Sequence, residues 1–461
     1  MNLYKQPWFW LLIAIAAFLI NQLPFLSDIR PVMYDEAWYA NTAYNFSQGE
    51  GFLNTIVGTR GNSNFLLPTL TGIMFWIFGY SLFTIRLTAV LCGVVTLLFL
   101  HLCLRELKST VSAEIAVLAF FVSIALYNTI FRFGRPECAS IMCMTGGVWC
   151  FLRYMRVNSW GNMIGMSCFA FLSAIAHPYA LLFFALAGAV LLFLSLRDRQ
   201  WNNLAHLVVL MFAAIVALGS IAWVSHVYNG DGEDYVSSRF SMSNIFEALP
   251  IHIKSFFLSK HTLYMVPLLL ISLCCWINKE IRIRVIAYVA IVYFVIFPFL
   301  FSTDLMMVGL GLDYVALLGT LLIAPFLQQI GDIRRKKLIP IVFCVYCFVN
   351  IGISYYYNYF VKYERCNTIL QKELREIIPR DAIVFTPIRQ YPMIMANKCS
   401  SDHSWRGVYE SFDYIILNSQ DKDRYENSIE IQKKLDDYEL IYERETKQYG
   451  MVKLYMNNPK P

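Results

Sequence analysis

Charge is scarce in this chain of 461 residues: Asp, Glu, Lys and Arg make up 15% of it, against 57% hydrophobic residues, with aromatics at 16% of the whole. A soluble domain carries about a quarter charged residues, so the composition excludes an ordinary soluble fold and implies a polytopic membrane protein. Other absences narrow the reading further. The first apolar run, from Trp8 to Leu26, has no small-residue cleavage site and is too long for a signal-peptide core, so it reads as a retained helix. No nucleic-acid motif occurs, and basic clusters are confined to short loops, which leaves no nucleic acid among the expected partners. The two halves show no self-similarity, and charge does not gather mid-span, which argues against a secondary transporter built from repeats. The acidic stretch Asp231-Gly-Glu-Asp-Tyr235 lacks the twelve-residue ligand spacing of a calcium loop.

What the chain does have is a series of apolar runs of about 20 residues, each long enough to span a bilayer. They fall at roughly 8–26, 83–104, 113–131, 138–155, 160–176, 179–196, 204–227, 261–277, 284–302, 308–329 and 338–357. A further apolar stretch at 65–79 is short. If it lies along the membrane surface, the basic loops RELK, RYMR, RDR, NKEIRIR and DIRRKK all fall on the side of Lys5, as the positive-inside rule requires. The expected fold is therefore mainly α: a polytopic membrane helix bundle of about eleven spans plus juxtamembrane helices over residues 1–357, followed by a small extracytoplasmic α/β domain over 358–461. The tail earns that description through LQKELREIIPRDAIVFT, FDYIILN and YELIYERETKQYGMVKLYM, a helical pattern followed by short alternating strands. Cys366 and Cys399 both lie in this tail, where oxidising conditions permit a disulfide without requiring one.

On the face opposite the basic loops lie the long loop 27–64, the turn RFGRPE, the turn at His177-Pro178, the loop 228–260 and the tail. Ionisable groups collect there: Asp35 and Glu36 at the mouth of the first span, Glu137 after Arg135 with Arg132 close by, His177 at a helix end, and Arg86 just inside the second span. Each alone reads as a hydrated cap; His177 before proline is such a helix-end residue. Several at one membrane face mark a candidate site. A carboxylate there can take the proton of an attacking hydroxyl, and arginines can clamp a phosphate and stabilise its charge as it leaves. With an apolar groove for a lipid tail, those groups suit transfer of a group from a lipid phosphate to a hydroxyl. A non-enzymatic membrane scaffold is the competing reading. Asp304 and Asp313 stand as site residues or as polar groups facing the interior.

The ordered motifs sharpen the expectation. The stretch DEAWYANTAYNFSQGEGF, with Asp35, Glu36, Tyr39 and Gly49, resembles the first outer loop of the GT-C glycosyltransferases, in the branch of lipid A aminoarabinose transferases and protein O-mannosyltransferases. NFLLPTLTGIMFWIFGYSLFTIRL is similar to that family's juxtamembrane helix, with Gly79 and Arg86 at matching positions, and FGRPECASIM is similar to its second acidic motif, with Glu137 as the acid. The resemblance covers roughly the first 200 residues; beyond them only the layout matches. It implies an inverting transfer from a polyprenyl-phosphate sugar donor to a glycan, lipid or protein acceptor, among membrane lipid, at the outer face of what is expected to be a bacterial inner membrane. It also implies Asp35 as base, with Glu36 and Glu137 orienting the acceptor or holding a divalent cation, and Tyr39, Arg60, Arg86, Arg135 and His177 as binding residues. Two departures stand out. Relatives carry Lys-Pro before the juxtamembrane helix where this chain reads RGNSN, and Arg-Tyr at a late span where it reads Asp313-Tyr314. Both remove positive charge from the donor phosphate; either the donor differs, or Arg239, Lys254 or Lys260 of the loop 228–260 takes the role, with that loop as a lid.

Overall fold

The computed structural model describes residues 6–28, 30–56, 64–229, 250, 254, 262–300, 305–330, 338–359, 366–395, 398–401, 411–421 and 435–458. Its first helices are α1 (Pro7–Gln22), α2 (Tyr34–Ser47), α3 (Leu66–Phe78), α4 (Leu82–Glu106), α5 (Val111–Ser123), α6 (Ala125–Ile130), α7 (Pro136–Arg156) and α8 (Trp160–Ala176). The bundle continues with α9 (Leu181–Arg197), α10 (Asn202–Asn229), α11 (Thr262–Trp276), α12 (Ile281–Leu300), α13 (Leu305–Ile330) and α14 (Leu338–Tyr359). Every apolar run expected to span falls largely on helix over its described residues. Among the described residues four helices are long and apolar enough to cross a membrane, within 82–106, 178–197, 203–224 and 312–330, and shorter apolar helices include Pro7–Gln22, Val111–Ser123 and Trp160–Ala176.

One expected span is interrupted. The run 113–131 breaks at Ile124, whose backbone is extended, into α5 and α6. A break in a bundle is tolerated where side chains take over the freed backbone groups. Here the Asn128 amide donates to the Val122 carbonyl at 3.2 Å, and its own oxygen accepts from Asn21 at 2.9 Å and Gln22 at 2.7 Å.

The helix α10 carries Val208, Met211, Phe212 and Ile215 exposed at helical spacing, so its apolar stripe faces outward rather than into a core. A greasy outer surface of this kind belongs in lipid, and the protein is an integral membrane protein. At the centre, α13 packs against α4, α5, α7, α11 and α12 and is largely buried. With 13 residues, α3 reaches about 20 Å, short of the roughly 30 Å of a hydrocarbon core. It lies beside α2 instead, with Trp76 donating to the Ser47 carbonyl at 2.9 Å and with Trp76 and Ile77 exposed. Gly49 and Gly79, at φ of +85° and +76°, end α2 and α3 in the left-handed region where a side chain would be strained.

The two ends of the bundle differ in chemistry. The loops RELK, RYMR and NKEIRIR meet at one end, where Glu106 pairs with Arg156 at 3.1 Å and Arg282 donates to the Glu106 carbonyl at 2.8 Å. Arg86 sits near the start of the same helix, α4, about 30 Å away along its axis. Asp35, Glu36 and Glu137 gather at that opposite end.

The tail forms α15 (Cys366–Ile377), the short α16 (Tyr391–Ile394) and the strands β1 (Ile383–Thr386), β2 (Lys398–Ser401), β3 (Tyr414–Asn418), β4 (Tyr438–Thr446) and β5 (Gly450–Asn457). The strands make one sheet of order β2-β1-β3-β5-β4, parallel on the β2-β1-β3 side and antiparallel around β5. The expected boundary at 357–358 falls in the last turn of α14. This α/β unit has a small cluster of its own around Phe385, Phe412, Ile415 and Leu417 and shares the rest of its core with the bundle. Val32, Ala40, Tyr44 and Ile85 share one buried cluster with Leu370, Leu374, Val384 and Tyr449. Asp28 supplies the cap of α15 from a distant part of the chain, accepting from the Thr368 N–H at 2.8 Å and from its hydroxyl at 2.6 Å. Cys366 and Cys399 are both buried free thiols here, so no disulfide joins them.

Candidate active site

The mouth is built from the first turns of two helices. Acids are stabilised at a helix N-terminus by the peptide dipoles, and α2 begins with Asp35 and Glu36 as α7 begins with Glu137. Successive residues point about 100° apart around a helix, and that angle divides the acidic pair. Asp35 turns to the opening with its side chain 30% exposed, and Glu36 turns into the body with its side chain fully buried.

Arg135 lies between two acids. Its Nη2 is 3.1 Å from Asp35 Oδ2 and 3.1 Å from Glu137 Oε1. Access falls along the cluster, from Asp35 at 30% to Arg135 at 17% and Glu137 at 5%. Burial on its own lowers the Arg135 pKa, but Glu137, Asp35 and Asp313 outweigh it and the net shift is upward, so the guanidinium stays charged. Its Nε–H is buried and has no hydrogen-bond partner among the described residues. Tyr39, one turn beyond Asp35, is within electrostatic reach of Arg135, and its hydroxyl accepts from Asn64 at 3.0 Å.

Asp313 belongs to this cluster. It is buried on α13, and it interacts electrostatically with both Glu137 and Arg135. Its neighbour Tyr314 donates to Ser140 Oγ at 3.0 Å, one turn into α7. The sequence left Asp313 undecided among the late-span acids; an ionisable residue inside an apolar run was the available signal. His177 reaches the cluster through its backbone: its carbonyl accepts from Ser140 Oγ at 3.5 Å, while its ring stands edge-on to Tyr179 at 4.3 Å.

Glu36 and Arg86 hold each other instead of facing the opening. The pair is bidentate, Nε to Oε1 at 2.8 Å and Nη2 to Oε2 at 3.0 Å, with neither side chain exposed. Arg86 spends its other N–H groups on the carbonyls of Leu26, Ser27, Arg30 and Pro31, and Glu36 accepts from the Gly134 N–H at 3.3 Å. Arg86 has no donor left for a phosphate. Arg132 is likewise turned inward, donating to Gln22 Oε1 at 2.9 Å and the Asn21 carbonyl at 2.8 Å. Lys254 is exposed, while Arg60, Arg239, Lys260 and Asp304 lie outside the described residues, as does most of the loop 228–260.

The three acids expected to hold a cation do not form a donor set. Glu36 is committed to Arg86, and Arg135 already neutralises Asp35 and Glu137. Among the described residues no group of three or more metal-binding side chains converges.

Gly134 lets the turn before α7 pack closely against α4. A Cβ there would lie 2.3 Å from Cγ2 of the buried Ile85. Gly134→Ala is expected to cost about 1–3 kcal/mol through overpacking, measured as a lower melting temperature of the purified protein in detergent.

Comparison with known proteins accords with this architecture. Residues 64–223 match the sequence profile of the family described as dolichyl-phosphate-mannose-protein mannosyltransferase. No curated protein sequence matches the chain. Its fold is similar to that of ArnT from Cupriavidus metallidurans bound to undecaprenyl phosphate, with a TM-score of 0.62 at 10% identity and 98% of each chain covered. The apo state of that ArnT gives a TM-score of 0.61, again at 10% identity with 98% of each chain covered. The expected GT-C-like fold, a helical bundle with a small sheet-containing C-terminal unit, is the fold the chain adopts.

Proposed function

We propose that this protein is an integral-membrane glycosyltransferase that moves a sugar from a polyprenyl-phosphate donor to a hydroxyl acceptor, with inversion at the anomeric carbon. The observation that carries the reading is Asp35 half-open at the mouth, paired with an arginine that it shares with Glu137 and that keeps a buried N–H unspent. The profile match over residues 64–223 and the fold shared with a protein that binds undecaprenyl phosphate support the same class.

In this mechanism the acceptor hydroxyl attacks the anomeric carbon, the bond from that carbon to the phosphate oxygen breaks, and the polyprenyl phosphate leaves. Asp35 takes the hydroxyl proton as general base. Arg135 directs its free Nε–H at the departing phosphate. Glu137 and Asp313 hold the guanidinium in place, and Tyr39 lines the acceptor side. Glu36 and Arg86 serve as the buried clamp behind the mouth. One guanidinium is little charge for a phosphate, so Arg60, Arg239, Lys254 and Lys260 are assigned to complete its binding. The mouth and the C-terminal unit face away from the cytoplasm, in keeping with basic loops gathered at the other end of the bundle.

The test supplies purified protein in lipid with radiolabelled polyprenyl-phosphate sugars and a panel of glycan, lipid and peptide acceptors. Transfer of label with an inverted anomeric configuration is expected. If no donor is consumed under any acceptor, a non-enzymatic scaffold replaces this reading.

A further inference from the structure

Away from the mouth, the α/β unit and the membrane body enclose a cavity of about 260 Å³, lined by Tyr44, Gln48, Tyr80, Arg375 and Arg380 with an apolar back of Leu374, Ile378 and Ile394. Tyr44 lies on the same helix as Asp35, about 13 Å further along, so this cavity is separate from the acidic cluster. Four parts of the chain meet here: the end of α2, the α3–α4 turn, α15 with the turn after it, and the end of α16.

Two features point to a ligand. Arg375 is fixed by donating Nε to the Met393 carbonyl at 2.8 Å and Nη1 to the Tyr80 carbonyl at 2.7 Å, yet its buried Nη2 has no hydrogen-bond partner among the described residues. Arg380, exposed at the rim, adds a second positive charge with no carboxylate among the lining residues. Burial and the Arg380 charge together push Arg375 down to about 10. Two guanidiniums side by side repel each other unless an anion sits between them, and an unpaired buried donor costs free energy until it is met. The phenols of Tyr44 and Tyr80 stand edge-on at 4.9 Å, with Gln48 donating to the Tyr80 hydroxyl. This wall offers donors and ring faces to a small polar group.

We infer that this cavity is an oxyanion site that binds a phosphate or carboxylate carried on a sugar or glycerol unit, with Arg375 and Arg380 as its two cationic ligands. Its volume suits one small charged group. Only the assignment of that group to the acceptor rests on the transferase reading: the cavity would anchor an anionic part of the acceptor while a hydroxyl elsewhere on it reaches Asp35.

The test is direct binding to the full-length protein in neutral detergent, without turnover. Inorganic phosphate, glycerol 3-phosphate and glucuronate are titrated by calorimetry. Wild type is expected to bind at least one of them, with Arg375→Gln and Arg380→Gln each weakening it about tenfold or more and Arg375→Lys weakening it less. Arg380 is exposed, so Arg380→Gln is expected to melt as wild type does and separates a ligand effect from a folding effect. Repeating the titration in phosphatidylglycerol rather than phosphatidylcholine nanodiscs identifies the source: loss of soluble binding only with the anionic lipid assigns the site to a lipid headgroup. Failure of all three probes with wild type, or equal binding by wild type and both Gln variants, overturns the inference. A second readout is kinetic, since an anchoring site raises KM for an anionic acceptor in Arg380→Gln and leaves kcat unchanged. Transfer can fail while binding stands, so the two proposals fall separately.

Discussion

Asp35→Asn is expected to lower sugar transfer by about 100-fold or more, the range for loss of a general base, with the protein folded and expressed as wild type. The substitution preserves shape and keeps an oxygen facing Arg135 at the position now 3.1 Å away. It removes the group that takes the proton. Because Asp35 is 30% exposed and lies at the opening, its replacement leaves no buried charge uncompensated, so stability is expected to change little. Glu137→Gln should behave differently. Its carboxylate is 5% exposed and shares Arg135 with Asp35, so the loss frees the guanidinium to close on Asp35 alone. A smaller fall in kcat is expected, together with a weaker apparent affinity for the donor as Arg135 leaves its place. The measurement compares both variants in isolated membranes with expression matched by immunoblot. Equal transfer by Asp35→Asn and wild type would remove Asp35 from the chemistry and return it to the role of a hydrated helix cap.

The second large effect falls on folding. Glu36→Gln is expected to cost about 3–5 kcal/mol, the range for removing one partner of a buried ion pair. Whichever way it turns, the new amide would also point an N–H at the Arg86 guanidinium, which donates to both oxygens of the present carboxylate. The damage would spread beyond the pair. Arg86 gathers the carbonyls of Leu26, Ser27, Arg30 and Pro31, and Asn367 of the α/β unit donates to two of them, Ser27 at 2.7 Å and Arg30 at 3.1 Å. Tyr449 ties the same place down, donating to Asn367 and accepting from the Val32 N–H at 3.0 Å. Loosening the clamp should therefore release the α/β unit from the bundle, seen as early proteolytic loss of that unit as well as a lower melting temperature. The double variant Glu36→Leu/Arg86→Leu should cost less than the sum of the single changes, because no charge is then left buried alone. A Glu36→Gln protein that melts with wild type and resists protease equally would disprove the clamp.

These two neighbours explain how far the site could be read in advance. The acidic pair, the second acid at Glu137 and the arginines at 86 and 135 were all legible, because helix first turns, apolar runs and charge placement are local properties of a sequence. Their division of labour was not. Asp35 and Glu36 are chemically alike and adjacent, and only the direction in which α2 presents them decides which faces the opening and which is enclosed by Arg86. Asp313 shows the same limit from the other side. Its distance along the chain from Glu137 conceals that α13, packed through the middle of the bundle, delivers it to Arg135.

The fold divides in the same way. Long apolar runs, their basic and acidic flanks and the alternation of the tail determined that this is a helical membrane body with an α/β unit at its end, since burial in lipid and backbone hydrogen bonding leave few other structures for such segments. The docking of that unit was decided in three dimensions. Asp28 caps a helix that begins at Cys366, and Val32 and Tyr44 share a core with Leu370 and Tyr449. The cavity between Arg375, Tyr44 and Tyr80 exists only because those surfaces meet. Local pattern sets what each segment is, through its own solvent and its own hydrogen bonds. Which charges end up sharing a partner or a void depends on packing between segments hundreds of residues apart, and that only the tertiary structure settles.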